Sequence, residues 1–265
     1  MVKTNLYDES SSRSVVETKG IFSVVEYDRD ISVSPEMAQE AYFAAAMNVK
    51  KRQLVANLSD DIGVFVQAGE MQILFGDIEV GTGIKSAGDL FKKVISSSVT
   101  DETVVKPYYR GTGQLVLEPT FNHIILEDLS MWEEGLVIED GMFLACEETV
   151  DIKVKPRTTV SSAIFGGEGL FNTNLVGKGL VAMESPVPKE ELIIAEINDD
   201  VVKIDGNMAI AWSPSLKFTV QKSTKTLIGS AVSGEGLVNV YEGTGKVLIA
   251  PVRRNRGISA PDKQN

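Results

Sequence analysis

One cysteine, Cys146, and one histidine, His123, stand in a chain of 265 residues. A single thiol excludes an intramolecular disulfide and gives no reason to expect an oxidising compartment. With one residue of each kind, a His/Cys zinc site cannot be assembled within one chain, and no cofactor is expected. No apolar run approaches the roughly 20 residues a membrane helix needs. The first residues carry no apolar signal core, so the expected location is the cytoplasm. Positive charge is scarce as well: 26 Lys and Arg against 37 Asp and Glu leave a formal net charge of −11. That balance repels nucleic-acid backbones unless basic residues cluster, and they do so only at Lys50-Lys51-Arg52 and Arg253-Arg254-Asn255-Arg256.

What is present suits a packed domain. Hydrophobic residues make up 43% and charged residues 24% of the chain, which excludes disorder of the whole. Residues 1–19 are polar, without helical or strand period, and read as a flexible arm; residues 252–265 read as a solvated tail. Between them, 20–251 form one domain. One helix is signalled by Ser34 as cap, Pro35 at the first position and Glu36 at the positive end. Ala38, Ala41, Tyr42, Ala45 and Val49 then form an apolar stripe, expected to cover a sheet. A short helix over Asp89 to Ser96 is the only other helical candidate. After Gln53 the chain reads as short strands between turn residues, among them Ile62–Gln67, Gln114–Leu117, His123–Leu126, Met142–Cys146, Leu192–Ile197, Leu216–Val220 and Lys246–Ala250. The fold class is all-β with one N-terminal helix.

The strongest signal is a repeat. Gly111-Thr112-Gly113, Gly177-Lys178-Gly179 and Gly243-Thr244-Gly245 follow one another at 66 residues each time. Each leads into an apolar strand ending at Pro119, Pro186 or Pro251. Asp140-Gly141 and Asp205-Gly206 lie between them, with Ala68-Gly69 a fainter relative. A fixed period of this size marks a unit used several times, here three β-sandwich repeats in pseudo-threefold array. Asp-Gly between apolar runs predicts hairpin turns. Gly-x-Gly inside a strand predicts a bend or a close approach of two backbones. The order of landmarks leaves half a unit at each end, so Lys246–Ala250 is expected to pair with strands before Met71 and close the third unit.

Phe165-Gly166-Gly167-Glu168-Gly169-Leu170-Phe171, Asp205-Gly206, Ala211-Trp212, Phe218 to Ser230, Ser233-Gly234-Glu235-Gly236 and Gly243 to Pro251 together resemble the bacterial relatives of the altered-inheritance-of-mitochondria family, a family of unknown function. The resemblance covers about Val64 to Pro251. It implies a fold like the tryptophan RNA-binding attenuation protein, with three β-sandwich units per chain and chains joined as trimers. It implies no catalytic residues.

Candidate chemistry is thin. His123 lies in a strand-like run and reads as a satisfied or surface histidine; Cys146 falls where the next repeat has Trp212 and reads as packing. No Gly-x-Ser-x-Gly elbow exists for a hydrolase. Gly243-Thr244-Gly245-Lys246 lacks the following Ser or Thr of a phosphate loop and stands between strands. Glu168 and Glu235 occupy equivalent Gly-Glu-Gly elements. They read as carboxylates serving tight turns and are the first place to look for a small ligand. The sequence therefore points to a non-enzymatic homo-oligomeric scaffold or interaction protein, most simply a trimer. The rivals are an RNA-binding module, suggested by fold analogy alone, and a small-molecule binder at clefts between repeats.

Overall fold

The computed structural model describes residues 2–8, 10, 12–81, 106–156, 171–222 and 237–252. Its strands are β1 (Ser14–Lys19), β2 (Phe22–Tyr27), β3 (Lys51–Leu58), β4 (Val64–Val66), β5 (Met71–Gly81), β6 (Tyr108–Leu117), β7 (His123–Asp128) and β8 (Leu136–Ile138). They continue with β9 (Phe143–Glu147), β10 (Val150–Pro156), β11 (Phe171–Gly177), β12 (Leu180–Ser185), β13 (Ile193–Asp205), β14 (Ala209–Trp212), β15 (Lys217–Lys222) and β16 (Leu237–Ile249). One α-helix, α1 (Ala38–Ala46), follows a 3-10 turn at Pro35–Met37. Among the described residues the chain is mostly β with one N-terminal helix, and every strand named from sequence coincides with a strand.

Two antiparallel sheets account for these strands. The first runs β1-β2-β3-β6-β4-β9-β12-β7 with β5 on β6; the second runs β10-β11-β8-β14-β16-β13 with β15 on β16. The first sheet curls over its own apolar face, where Phe22, Leu54, Leu115, Leu126 and Ala182 meet in one cluster. The second does the same around Trp212, Tyr241, Val247 and Ile197, with the Phe218 ring 5.7 Å from Trp212 and 5.2 Å from Tyr241. Where the sheets meet back to back, Ile125, Cys146, Val181 and Met183 of the first pack on Leu136, Ile138, Leu175 and Leu248 of the second. Alternate residues of the joining strands are thus buried on opposite faces, which is why their sequence reads as unbroken apolar runs.

The first Gly-x-Gly is a close approach of two backbones, as its sequence predicted, whereas Gly245 of the third meets only side chains. A Cβ on Gly113 would lie 1.9 Å from the Phe75 carbonyl oxygen, and one on Gly111 2.2 Å from that of Asp77. Gly111, Gly177 and Gly243 share a positive φ of 133°, 123° and 123°. β6 and β16 are also built alike: each takes one long partner on one edge, β5 or β13, and two short ones on the other, β3 with β4 or β14 with β15.

Four expectations are corrected. First, β16 pairs with β13, β14 and β15, so the C-terminal strand does not close onto strands before Met71. Both of its edges are already filled, one by β13 and the other by β14 and β15. Second, the Asp-Gly and Ala-Gly landmarks are not hairpins, because each joins two strands that do not pair with one another. Glu139–Met142 carries the chain from β8 in the second sheet to β9 in the first, with Met142 N–H donating to the Glu139 carbonyl at 3.2 Å and Gly141 at φ 72°, a turn that favours glycine at its third position. Third, part of the polar arm over 1–19 is structured: β1 pairs with β2, while Leu6 and Tyr7 pack against Val25, Val55 and Val116. Fourth, no residue of α1 is buried, so its apolar stripe covers no sheet. The candidate helix at Asp89 to Ser96 and the tail from Arg253 lie outside the described residues.

Candidate functional site

Glu168 and Glu235, the carboxylates singled out from sequence, lie outside the described residues. A different cleft opens at the first Gly-x-Gly, of about 350 Å³, lined by Asp60, Asp77, Glu79, Arg110, Gly111 and Thr112. The bareness of Gly111 lets β5 and β6 run close there, and their outward side chains make the wall. Thr112 Oγ1 donates to Asp60 Oδ1 at 3.0 Å. Arg110 donates to the Asp60 carbonyl from Nε at 3.2 Å and from its second guanidinium nitrogen at 2.9 Å. It also reaches the Glu148 carboxylate at 3.3 Å, which accepts from the Tyr108 hydroxyl. Burial and the neighbouring Glu148 raise the Tyr108 pKa above the ordinary phenol value, so it stays a neutral donor.

This geometry holds and orients; it supplies no nucleophile. Arg110 is engaged on three sides, while Asp77 and Glu79 are exposed carboxylates. The cleft's field is therefore acidic and unsuited to phosphate. Among the described residues no three His, Cys, Asp or Glu side chains converge on a metal position. The sequence reading missed this cleft because Arg110 precedes, and Thr112 sits within, a Gly-x-Gly taken as backbone geometry alone.

A second charged cluster pins the connection from β2 to β3. Arg52 is 3% exposed and donates to Glu26 at 2.9 Å and to the carbonyl and side-chain oxygens of Asn48 at 3.1 and 2.9 Å. Lys50 bridges Glu26 at 2.7 Å and Asp28 at 2.9 Å. The basic run Lys50-Lys51-Arg52 is thus largely committed to internal partners. Nearby His123 is held neutral by burial and by the Arg52 charge, its pKa lowered to about 4. Cys146 is fully buried and burial pushes its thiol pKa well up, which removes it as a nucleophile.

Fold and cleft together define an all-β protein of two curled antiparallel sheets bearing a carboxylate-lined surface groove. The model of the family described as Mitochondrial biogenesis AIM24 matches residues 46–252, and the chain belongs to that family. An uncharacterised protein of Streptococcus pyogenes serotype M6 is 25% identical over 193 residues, covering 70% of this chain and 75% of that protein. A crystal structure of a Streptococcus pyogenes protein, solved by a structural genomics consortium, is 24% identical and superposes with a TM-score of 0.57 over 78% of this chain and 90% of that one. That likeness concerns the fold. No helix among the described residues is long and apolar enough to cross a membrane.

Proposed function

We propose that the chain is a non-enzymatic scaffold or interaction protein of the cytoplasm, assembled as a homotrimer from bodies of three β units. The observation that carries this reading is apolar surface left on long strands at sheet margins. Met71, Ile73 and Val80 on β5 and Ile193, Ile194 and Val201 on β13 are each at least 39% exposed. Among the described residues β13 borders the second sheet and β5 pairs with β6 alone; strands at such margins are templates for pairing with another chain, and two unlike margins joined head to tail close a ring. The shared φ of Gly111, Gly177 and Gly243 and the like construction of β6 and β16 support the repeated unit, of the kind seen in the tryptophan RNA-binding attenuation protein. The lone buried thiol suits a reducing compartment.

Light scattering of the intact chain tests the reading: three chain masses, or a multiple of three, is the expected result. Charged substitutions at Ile193 and Ile194 are expected to break the ring. An assembly unaffected by them would remove this interface.

A further inference from the structure

The outer face of the first sheet carries a row of valines where an antiparallel sheet commonly faces water. Val25 on β2, Val55 on β3 and Val116 on β6 are fully buried, although their chain neighbours Val24, Leu54, Leu115 and Leu117 point into the core on the opposite face. Val15, Tyr27 and Phe75 extend the row, and Leu6 and Tyr7 cover it. Asp8 N–H donates to the Asn5 carbonyl at 3.1 Å, so Asn5–Asp8 is a β-turn with Leu6 and Tyr7 at its tip. The Tyr7 hydroxyl donates to Asn57 Oδ1 at 2.9 Å, an oxygen that also accepts from Gln114 Nε2 at 3.0 Å. This turn belongs to no strand: the first begins at Ser14, and Arg13 donates to Asn5 of the turn itself. Among the described residues, its attachment to the sheet is two half-buried side chains and one hydrogen bond.

We propose that this valine row is a docking groove for a peptide turn carrying an aliphatic residue followed by a tyrosine, and that Asn5–Asp8 fills it in cis as a displaceable self-ligand. The occupant defines the chemistry. Its aliphatic side chain covers the valine floor, and its ring adds apolar area at a small cost in rotamer entropy. The ring hydroxyl meets a fixed acceptor, because Asn57 is held by Gln114 and itself donates to the Ile21 carbonyl at 3.4 Å. At the other end of the row Gln53 donates to Gln72 at 2.7 Å and to the Leu117 carbonyl at 2.9 Å and accepts from Tyr27, so the polar groups there are already paired. Tyr27, Gln53, Asn57 and Gln114 are all uncharged, which selects a neutral turn tip, since a charge seated there would lose its hydration without a partner. A tether this short keeps the turn at an effective concentration of about a millimolar. An untethered turn of the same kind therefore competes with it by simple exchange, with no unfolding of the sheet. This inference rests on the interaction reading above and gives it a partner chemistry.

The experiment titrates a fluorescein-labelled peptide of residues 2–13 with the native full chain and with full-length Leu6→Asp/Tyr7→Asp, reading anisotropy. The substituted chain is expected to bind on the order of tenfold more tightly than the native one, whose tethered turn competes. Tyr7→Ala, which removes one anchor and adds no charge, is expected to lie between them; it carries the test alone if thermal melts show the two aspartates to unfold the chain. A peptide with Tyr7→Phe should bind the substituted chain about fivefold more weakly, the worth of one hydrogen bond, and one with Leu6→Asp/Tyr7→Asp not at all. No binding to the folded substituted chains, or equal binding to them and to the native chain, overturns the proposal. So does a fall in mass by light scattering on the substitutions, which would seat the turn on a second copy. A monomer that takes the peptide as described would sink the ring and keep the groove; a trimer indifferent to the peptide would do the reverse.

Discussion

At the scale of single residues, the account turns on backbones that approach where glycine allows it. Gly113→Ala places a methyl 1.9 Å from the Phe75 oxygen, a backbone atom that cannot swing aside. The cost is expected at or above the top of the roughly 1–3 kcal/mol overpacking range. Gly81→Ala is the control, since its Cβ would meet nothing closer than 3.7 Å; thermal melts that do not separate the two would refute the close approach. His123 gives a pH signature. Its folded pKa of about 4 lies below the unfolded 6.5, so between those values the unfolded chain binds the extra proton and stability rises with pH. On acidification from about pH 6.5 to 4 the native chain should therefore lose on the order of 1–2 kcal/mol more than His123→Gln, after allowance for partial exposure. Parallel denaturation curves at the two pH limits would show that His123 is not shielded.

At the scale of elements, the connection carrying α1 depends on a buried ion pair. Arg52→Met strands Glu26 with Lys50 alone and is expected to destabilise by about 3 kcal/mol. Adding Glu26→Gln should recover part of that loss, and a double variant no better than the single would mean the pair carries no coupling. Elements of this size were also what the sequence displayed best. Runs such as His123–Leu126 and Leu216–Val220 are β-branched or aromatic between turn residues, and local propensity suffices to place them. Ser34-Pro35 located the start of the helical segment for the same reason, although the Ser34 side chain makes no cap bond. What α1 packs against was not legible, because an apolar stripe records only that a face avoids water. The destination of β16 was misread because a 66-residue period fixes which segments are alike, not which edges they meet. The partners of Lys50 and Arg52 were not legible because Glu26 and Asp28 lie more than twenty residues earlier in sequence and become neighbours only when β2 pairs with β3. The Arg110 cleft stayed hidden because it is made by partners from three separate segments.

For the whole molecule, the claims concern assembly and what the surface refuses. The net charge of −11, the occupied Arg110 and the internal pairing of Lys50 and Arg52 disfavour phosphates, whose binding needs clustered free cations and weakens steeply with salt. Filter binding at physiological salt is expected to show no affinity for pooled single-stranded RNA. Submicromolar binding that survives deletion of 252–265 would promote the RNA-binding reading over the scaffold. The most direct test of the central claim is the mass of the chain in solution, measured by light scattering across micromolar concentrations. Three chain masses, constant with dilution, is the result predicted; a single chain mass throughout would contradict it.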